Sequence, residues 1–169
     1  MKKNLTLTGM MGVGKSTIGR ALSKRLSMEF VDIDKIIEKK LKLTIHKIFE
    51  VKGEAYFRNL EEEITLEEIK KRNKVISLGG GAFMNVKIRD CVISETDSFW
   101  LHLNIDLLEK RLATSKQRPL LYKKNIKLTL EKIYKERKKN YTLANHKIDC
   151  NNLSTNLILK KIIRIYENN

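Results

Sequence analysis

The sequence predicts an α/β protein: a three-layer α/β/α domain around a five-stranded parallel sheet. Three observations predict it. Short apolar or β-branched runs alternate with helical periodicities five times along the chain. The glycine-rich stretch Gly9-Met10-Met11-Gly12-Val13-Gly14-Lys15-Ser16-Thr17 stands between the first run and the first helix. Neither a repeat nor a low-complexity linker divides the 169 residues, a length that suits one domain, 1–169, with a real core. Such alternation implies parallel strands joined by right-handed crossovers, with helices on both faces.

Leu5-Thr6-Leu7-Thr8 places the first strand at 4–8, and Ile18, Leu22 and Leu26 predict a helix over 15–26. The stretch between them fits G-x-x-x-x-G-K-[ST], the P-loop pattern, in the strand-to-helix context that pattern requires. Its glycines let the backbone curl so that successive N–H groups face a phosphate, and the following helix adds the positive end of its dipole. Lys15 would reach the β- and γ-phosphates and the Ser16 hydroxyl would ligate Mg²⁺. Gly12, Val13, Gly14 and Thr17 complete this candidate nucleotide-binding set.

A strand over 30–33, a helix over 34–41 and a short helix over 45–51 follow. Gly53 separates the short helix from a longer one, 54–72, whose Phe57, Leu60 and Ile64 share a face. Val75-Ile76-Ser77-Leu78 is a short buried strand running into Gly79-Gly80-Gly81. Beyond it come a helix near 85–93, a strand over 99–103 and a helix over 105–113. Residues 114–126, with the single proline Pro119, read as a loop; a helix over 127–142, a strand at 147–149 and a helix over 154–167 close the chain.

Net charge is +15, from 35 Lys+Arg against 20 Asp+Glu. The basic residues are dispersed, and the few aromatics are not interleaved with them as a base-stacking platform needs. A solvated Lys-rich surface is therefore expected, without a nucleic-acid partner. No apolar run reaches the ~18 residues of a membrane span. Met1-Lys2-Lys3 is not followed by the apolar core of a signal peptide. Cys91 and Cys150 form no C-x-x-C and read as free thiols in a reducing cytosol, so a cytoplasmic location is expected. His46, His102 and His146 share no metal spacing.

In sheets of this kind ligands gather at the carboxyl ends of the strands. Asp32 and Asp34 stand at the second strand end. One could help hold Mg²⁺ through its water shell, while the other accepts or orients the proton of an attacking hydroxyl. A helix N-cap at Asp34 is the structural alternative. Gly79-Gly80-Gly81 would let backbone N–H groups approach a ligand, or serve only as a turn. No acid ends the third strand, which shifts metal duty toward Asp32. Glu54 and Glu61 lie four before and three after Arg58, so they could hold its guanidinium for an outside anion, or form an ordinary surface helix triplet. Arg118, beside Pro119, lies on a loop long enough to be a lid, from which an arginine can close over a transferring phosphoryl group. Arg137 opens Arg137-Lys138-Lys139-Asn140-Tyr141 at the foot of that lid.

Together these pieces resemble the shikimate kinases over nearly the whole chain. The resemblance rests on Gly14-Lys15-Ser16-Thr17-Ile18-Gly19-Arg20, Asp32-x-Asp34, Gly53-Glu54 with Phe57-Arg58-x-x-Glu61, Leu78-Gly79-Gly80-Gly81-Ala82, Arg118-Pro119-Leu120-Leu121 and Arg137-x-x-x-Tyr141. It implies strand order 2-3-1-4-5 and ATP-dependent phosphorylation of the 3-hydroxyl of shikimate, on the way to chorismate and the aromatic amino acids. It implies a substrate-binding segment at about 33–61 and a lid at about 113–126. Asp34, Arg58, Arg137 and the Gly79–Gly81 run, Gly80 above all, would contact shikimate. Lys15 and Arg118 would neutralise the transferring phosphoryl group, Ser16 would hold one Mg²⁺ with Asp32 behind it through water, and Arg111 would face adenine. A monomer acting on ATP and shikimate is expected.

There are departures from the family pattern. The loop Asp149-Cys150-Asn151-Asn152-Leu153-Ser154 lacks the proline and arginine of some relatives, and the lid segment after Leu121 lacks glycine. The nearest rival reading is a gluconate-type kinase of the same fold. A nucleic-acid-binding NTPase or a GTPase switch ranks far lower. D-x-x-G is absent, and Asn145-His146-Lys147-Ile148-Asp149 misses N-K-x-D by one residue.

Overall fold

The computed structural model describes residues 3–113 and 125–168. Five parallel strands, β1 (Asn4–Thr8), β2 (Glu29–Asp32), β3 (Lys74–Ser77), β4 (Thr96–His102) and β5 (His146–Asp149), form one sheet in the order β2-β3-β1-β4-β5. The order is the one the resemblance implies. The central strand β1 is buried along its whole length, with Leu5 and Leu7 paired in register with Val75 and Phe99 of its neighbours. Continuous apolar burial of this kind is what a parallel sheet covered on both faces demands.

Helix α1 (Lys15–Leu26) packs along β1, β2 and β3, with α7 (Thr155–Glu167) beside it; α4 (Val86–Glu95) packs on β4. Helix α2 (Ile33–Leu41) lies against α3 (Ile45–Lys70), and α5 (Ile105–Ala113) against α6 (Ile126–Tyr141). Gly53 interrupts α3 with φ 81 and ψ 164, so the predicted break stands, although the two halves run on as one kinked helix.

Most boundaries shift by one to three residues, and two of the differences have a clear physical reason. Strand β4 begins at Thr96, three residues before the predicted start, because Thr96 and Ser98 are buried with their hydroxyls bonded to the Val92 carbonyl and the Asn145 side chain. Satisfied hydroxyls cost little inside, and hydropathy alone does not register them. The N-cap of α2 is Asp32, whose Oδ1 accepts from the Lys35 N–H at 3.3 Å, while Asp34 sits in the first turn. The structural alternative of a cap at Asp34 does not hold, since Asp32 supplies the cap two residues earlier.

At the amino end of the sheet, Asn4 and Lys74 tie β1 and β3 to the end of α3. The Asn4 amide donates to the Ile69 and Lys71 carbonyls at 3.0 and 2.6 Å. The Lys74 ammonium pairs with Glu68 and Glu29 at 2.9 and 3.0 Å. The carboxyl end is left to carry the functional side chains.

Candidate active site

The P-loop needs its glycines for conformation. Gly9, Gly12 and Gly14 have φ of 138, 80 and 102, values that L side chains adopt only under strain. The Lys15 ammonium donates to the Gly9 and Met10 carbonyls at 2.8 and 3.1 Å, holding it over the loop. The Ser16 hydroxyl donates to Asp32 Oδ2 at 2.6 Å, which joins the P-loop to the end of β2. A hydroxyl and a carboxylate side by side are hard oxygen donors of the type Mg²⁺ takes, with waters and phosphate oxygens completing its octahedron. Among the described residues no group of three or more His, Cys, Asp or Glu is placed to hold a metal, so an ion here would rely on substrate oxygens. Val13 is buried, Thr17 is exposed on α1, and the Arg111 guanidinium of α5 donates to the Val13 carbonyl at 3.2 Å.

The glycine run after β3 needs its glycines for space. None of the three has a positive φ. A Cβ on Gly79 would collide with a Glu61 carboxylate oxygen and lie 2.8 Å from Asp34 Oδ1. A Cβ on Gly81 would lie 2.9 Å from both terminal nitrogens of Arg58. A Cβ on Gly80 would meet only ordinary contacts, with Arg137 Nη1 and the Met11 N–H nitrogen each 3.5 Å away. The run is therefore the point where Asp34, Arg58, Arg137 and the P-loop backbone come together.

Each charged group there is held. Arg58 pairs with Glu61 at 2.7 Å and with Glu54 at 3.1 Å, and Phe49 and Phe57 rings lie 5.8 and 5.1 Å from its guanidinium. Burial works against the Arg58 charge, but Glu61 and then Glu54 outweigh it and raise its pKa. Glu61 is 1% exposed, and burial pushes its carboxyl pKa up, with Asp34 adding to the rise while Arg58 and Arg137 oppose it. Glu61 Oε1 has no hydrogen-bond partner among the described residues. The Arg137 guanidinium donates to the Gly80 carbonyl at 2.8 Å, and the Tyr141 hydroxyl donates to the same oxygen at 2.6 Å.

Asp34, Arg58, Gly79, Gly80, Gly81 and Arg137 thus meet at one rim with Lys15, Ser16 and Asp32. Arg118 and most of the expected lid lie outside the described residues. Two participants were not singled out from sequence: the second carboxylate oxygen of Glu61, and Tyr141 as a contact of Gly80. The available signal was helical spacing, since Tyr141 follows Arg137 by four residues and shares its face.

A P-loop on a 2-3-1-4-5 parallel sheet, facing acids and arginines across a glycine run, defines the P-loop kinase class. A family model described as shikimate kinase matches residues 11–167. The chain belongs to the shikimate kinase family. It is similar to the shikimate kinase of Bartonella quintana, 38% identical over 99% of this chain and 80% of that one. It is likewise similar to that of Bacillus subtilis, 37% identical over 96% and 88%. Among solved structures, the Acinetobacter baumannii shikimate kinase in complex with shikimate superposes with a TM-score of 0.94 at 32% identity, over 99% of this chain and 94% of that one. A gluconokinase from Sinorhizobium meliloti, covering 99% of this chain and 95% of its own, shares the fold at a TM-score of 0.60 and 15% identity. No helix among the described residues is long and apolar enough to cross a membrane.

Proposed function

We propose that this shikimate kinase family member transfers the γ-phosphoryl group of ATP to the 3-hydroxyl of shikimate, giving shikimate 3-phosphate and ADP. The observation that carries this reading is the meeting of Asp34, Arg58 and Arg137 at Gly79–Gly81, against the P-loop backbone. Shikimate offers one carboxylate and three hydroxyls. Two guanidinium groups suit the carboxylate, because their planar donors match its two oxygens. Arg58, steadied by Glu54 and Glu61, and Arg137, steadied on the Gly80 carbonyl, are assigned that clamp. Asp34 then takes the hydroxyl to be phosphorylated, aligning it and accepting its proton as the new P–O bond forms and the bond to the β-phosphate oxygen breaks.

Gly12, Val13, Gly14 and Thr17 offer backbone N–H groups to the nucleotide phosphates, and Lys15 takes charge on the γ-phosphoryl group as it transfers. Arg118 is assigned to the same charge, on its motif alone. Arg111, anchored at the Val13 carbonyl, is assigned to the nucleotide base side. Ser16 would hold Mg²⁺ directly and Asp32 through water. When bound, that ion offsets the charge of the phosphate oxygens. Residues 33–61 form the substrate-binding segment of a single domain, 113–126 its lid, and the enzyme works as a monomer in the cytoplasm without nucleic acid.

A coupled ADP-release assay tests the reading. ADP release is expected with shikimate, not with gluconate, and chelation of Mg²⁺ is expected to abolish it. Equal rates with gluconate, or no release with shikimate, would overturn it.

A further inference from the structure

Tyr141 closes α6 with its side chain fully buried. Its ring stacks against Trp100 of β4 at 6.0 Å, and its hydroxyl lies 4.0 Å from the Met10 sulfur of the P-loop. Burial pushes its phenol pKa up, so the group is a neutral O–H donor at physiological pH. That O–H donates to the Gly80 carbonyl at 2.6 Å, on the oxygen that also accepts from Arg137 at 2.8 Å. A carbonyl has two lone pairs, so these two donors fill it.

The consequence reaches the substrate side of the peptide. The Gly80–Gly81 unit is planar and trans, so fixing its C=O fixes the opposed N–H of Gly81. Gly80 carries no side chain that could hold this peptide, and a Cβ there would meet only ordinary contacts. Turn bonds hold the run on either side, from the Ala82 N–H to the Gly79 carbonyl at 3.2 Å and from the Met84 N–H to the Gly81 carbonyl at 3.0 Å, and the two donors on the Gly80 carbonyl fix the peptide between them. Arg137 spends one Nη1 donor on this carbonyl and keeps its others for a ligand, so a second donor on the same oxygen also sets where the guanidinium sits. The buried phenol, packed on an indole, gives its one proton to that carbonyl at 2.6 Å, with the Met10 sulfur at 4.0 Å the weaker acceptor.

We infer that Tyr141 is a positioning residue for the acceptor site: by occupying the Gly80 carbonyl it sets the glycine-run peptide and the seat of Arg137, and so the affinity for the hydroxy-acid substrate. The inference rests on the reading that Gly80 and Arg137 face shikimate. ADP release by the unaltered enzyme tests that reading, and a comparison of variants tests this one.

Tyr141→Phe keeps the ring and removes the donor. Calorimetric titration of shikimate is expected to show binding weakened about three- to tenfold, the range for loss of one hydrogen bond to a buried carbonyl. Nucleotide binding is expected to weaken less than shikimate binding, since the lost donor served chiefly the Gly80 carbonyl at 2.6 Å and the Met10 sulfur of the P-loop only at 4.0 Å. The KM for shikimate should rise more than kcat falls. Trp100, the single tryptophan of the chain, reports whether the surrounding packing is intact. Placing 4-aminophenylalanine at 141 restores a ring-borne donor and is expected to recover shikimate affinity, which keeps the test open even if Tyr141→Phe does not fold. Unchanged shikimate affinity in Tyr141→Phe, equal loss for both ligands, or no recovery with the amino-substituted ring would overturn the inference.

Discussion

Asp34 occupies space that exists only because residue 79 has no side chain, since a Cβ there would stand 2.8 Å from its Oδ1. The carboxylate sits on α2 and its neighbour Glu61 on α3, so the two acids meet across elements and not along one. Removing the proton acceptor without changing shape isolates its part in turnover. Asp34→Asn is expected to lower kcat by about 100-fold or more, in the range of lost general-base catalysis, with nucleotide affinity unchanged. Steady-state kinetics with an equilibrium nucleotide titration checks this, and turnover within a few-fold of wild type would remove Asp34 from that role. Glu61 gives a prediction of opposite flavour. Its carboxyl pKa is raised, chiefly by burial. A raised acid favours folding in its protonated form; that contribution is full below the unfolded pKa and lost as pH rises through the folded one. Glu61→Gln cannot ionise, so its thermal midpoint is expected to gain on wild type as pH rises from acid to neutral. The same change weakens shikimate binding, because Arg58 loses its charged partner. A pH-independent difference between the two melting curves would contradict the assignment.

Helix α3 shows how an element aims a residue. Its first part is capped by Thr44, whose side chain accepts from the Lys47 N–H, and its second part begins after Gly53. Gly53 combines φ 81 with ψ 164, a region that only glycine occupies without strain, yet nothing lies within 4 Å of where a Cβ would project. The cost of Gly53→Ala is therefore backbone cost alone, about 1–3 kcal/mol, read from denaturant unfolding. Shikimate affinity should fall as well, because the kink sets the line on which Glu54, Arg58 and Glu61 stand. The break itself was legible, since a glycine between two helical periodicities is a strong local signal. The amino end of β4 was not. Thr96 and Ser98 are polar, and their place in the sheet depends on partners at Val92 and Asn145, the second of which lies 47 residues from Ser98. The P-loop, Asp32, Asp34 and Arg58 could be picked out because each follows a strand or sits in a local acid–base spacing. The closeness of Glu61 Oε1 to Gly79 and the double donation onto Gly80 could not, because both depend on how α3 and α6 approach β3.

The whole molecule carries a net charge of +15, and both proposed substrates are anions. A positive field of this size raises the encounter rate of anionic ligands and is screened by salt. Raising ionic strength from about 0.02 to about 0.5 M is expected to lower kcat/KM for both substrates several-fold, with kcat at saturation nearly constant. A viscosity-controlled stopped-flow series separates this from a change in chemistry, and a salt-independent kcat/KM would show that the charge serves only the surface. The cysteines play no part in this picture: Cys150 is buried, and burial pushes its thiol to about 11.

The α/β class, the nucleotide loop and the family resemblance were determined by the sequence by itself, because each is written in short-range signals: hydrophobic period, glycine placement and the residues that follow a strand. The resemblance grouped Asp34, Arg58, Arg137 and the glycine run; how Glu61 lies against Gly79, and that Tyr141 and Arg137 share the Gly80 carbonyl, was decided only by the tertiary structure. Asp34, Glu61, Gly80, Arg137 and Tyr141 lie on four segments whose closeness depends on how the crossovers pack, and packing distance is not encoded in the spacing of residues along the chain.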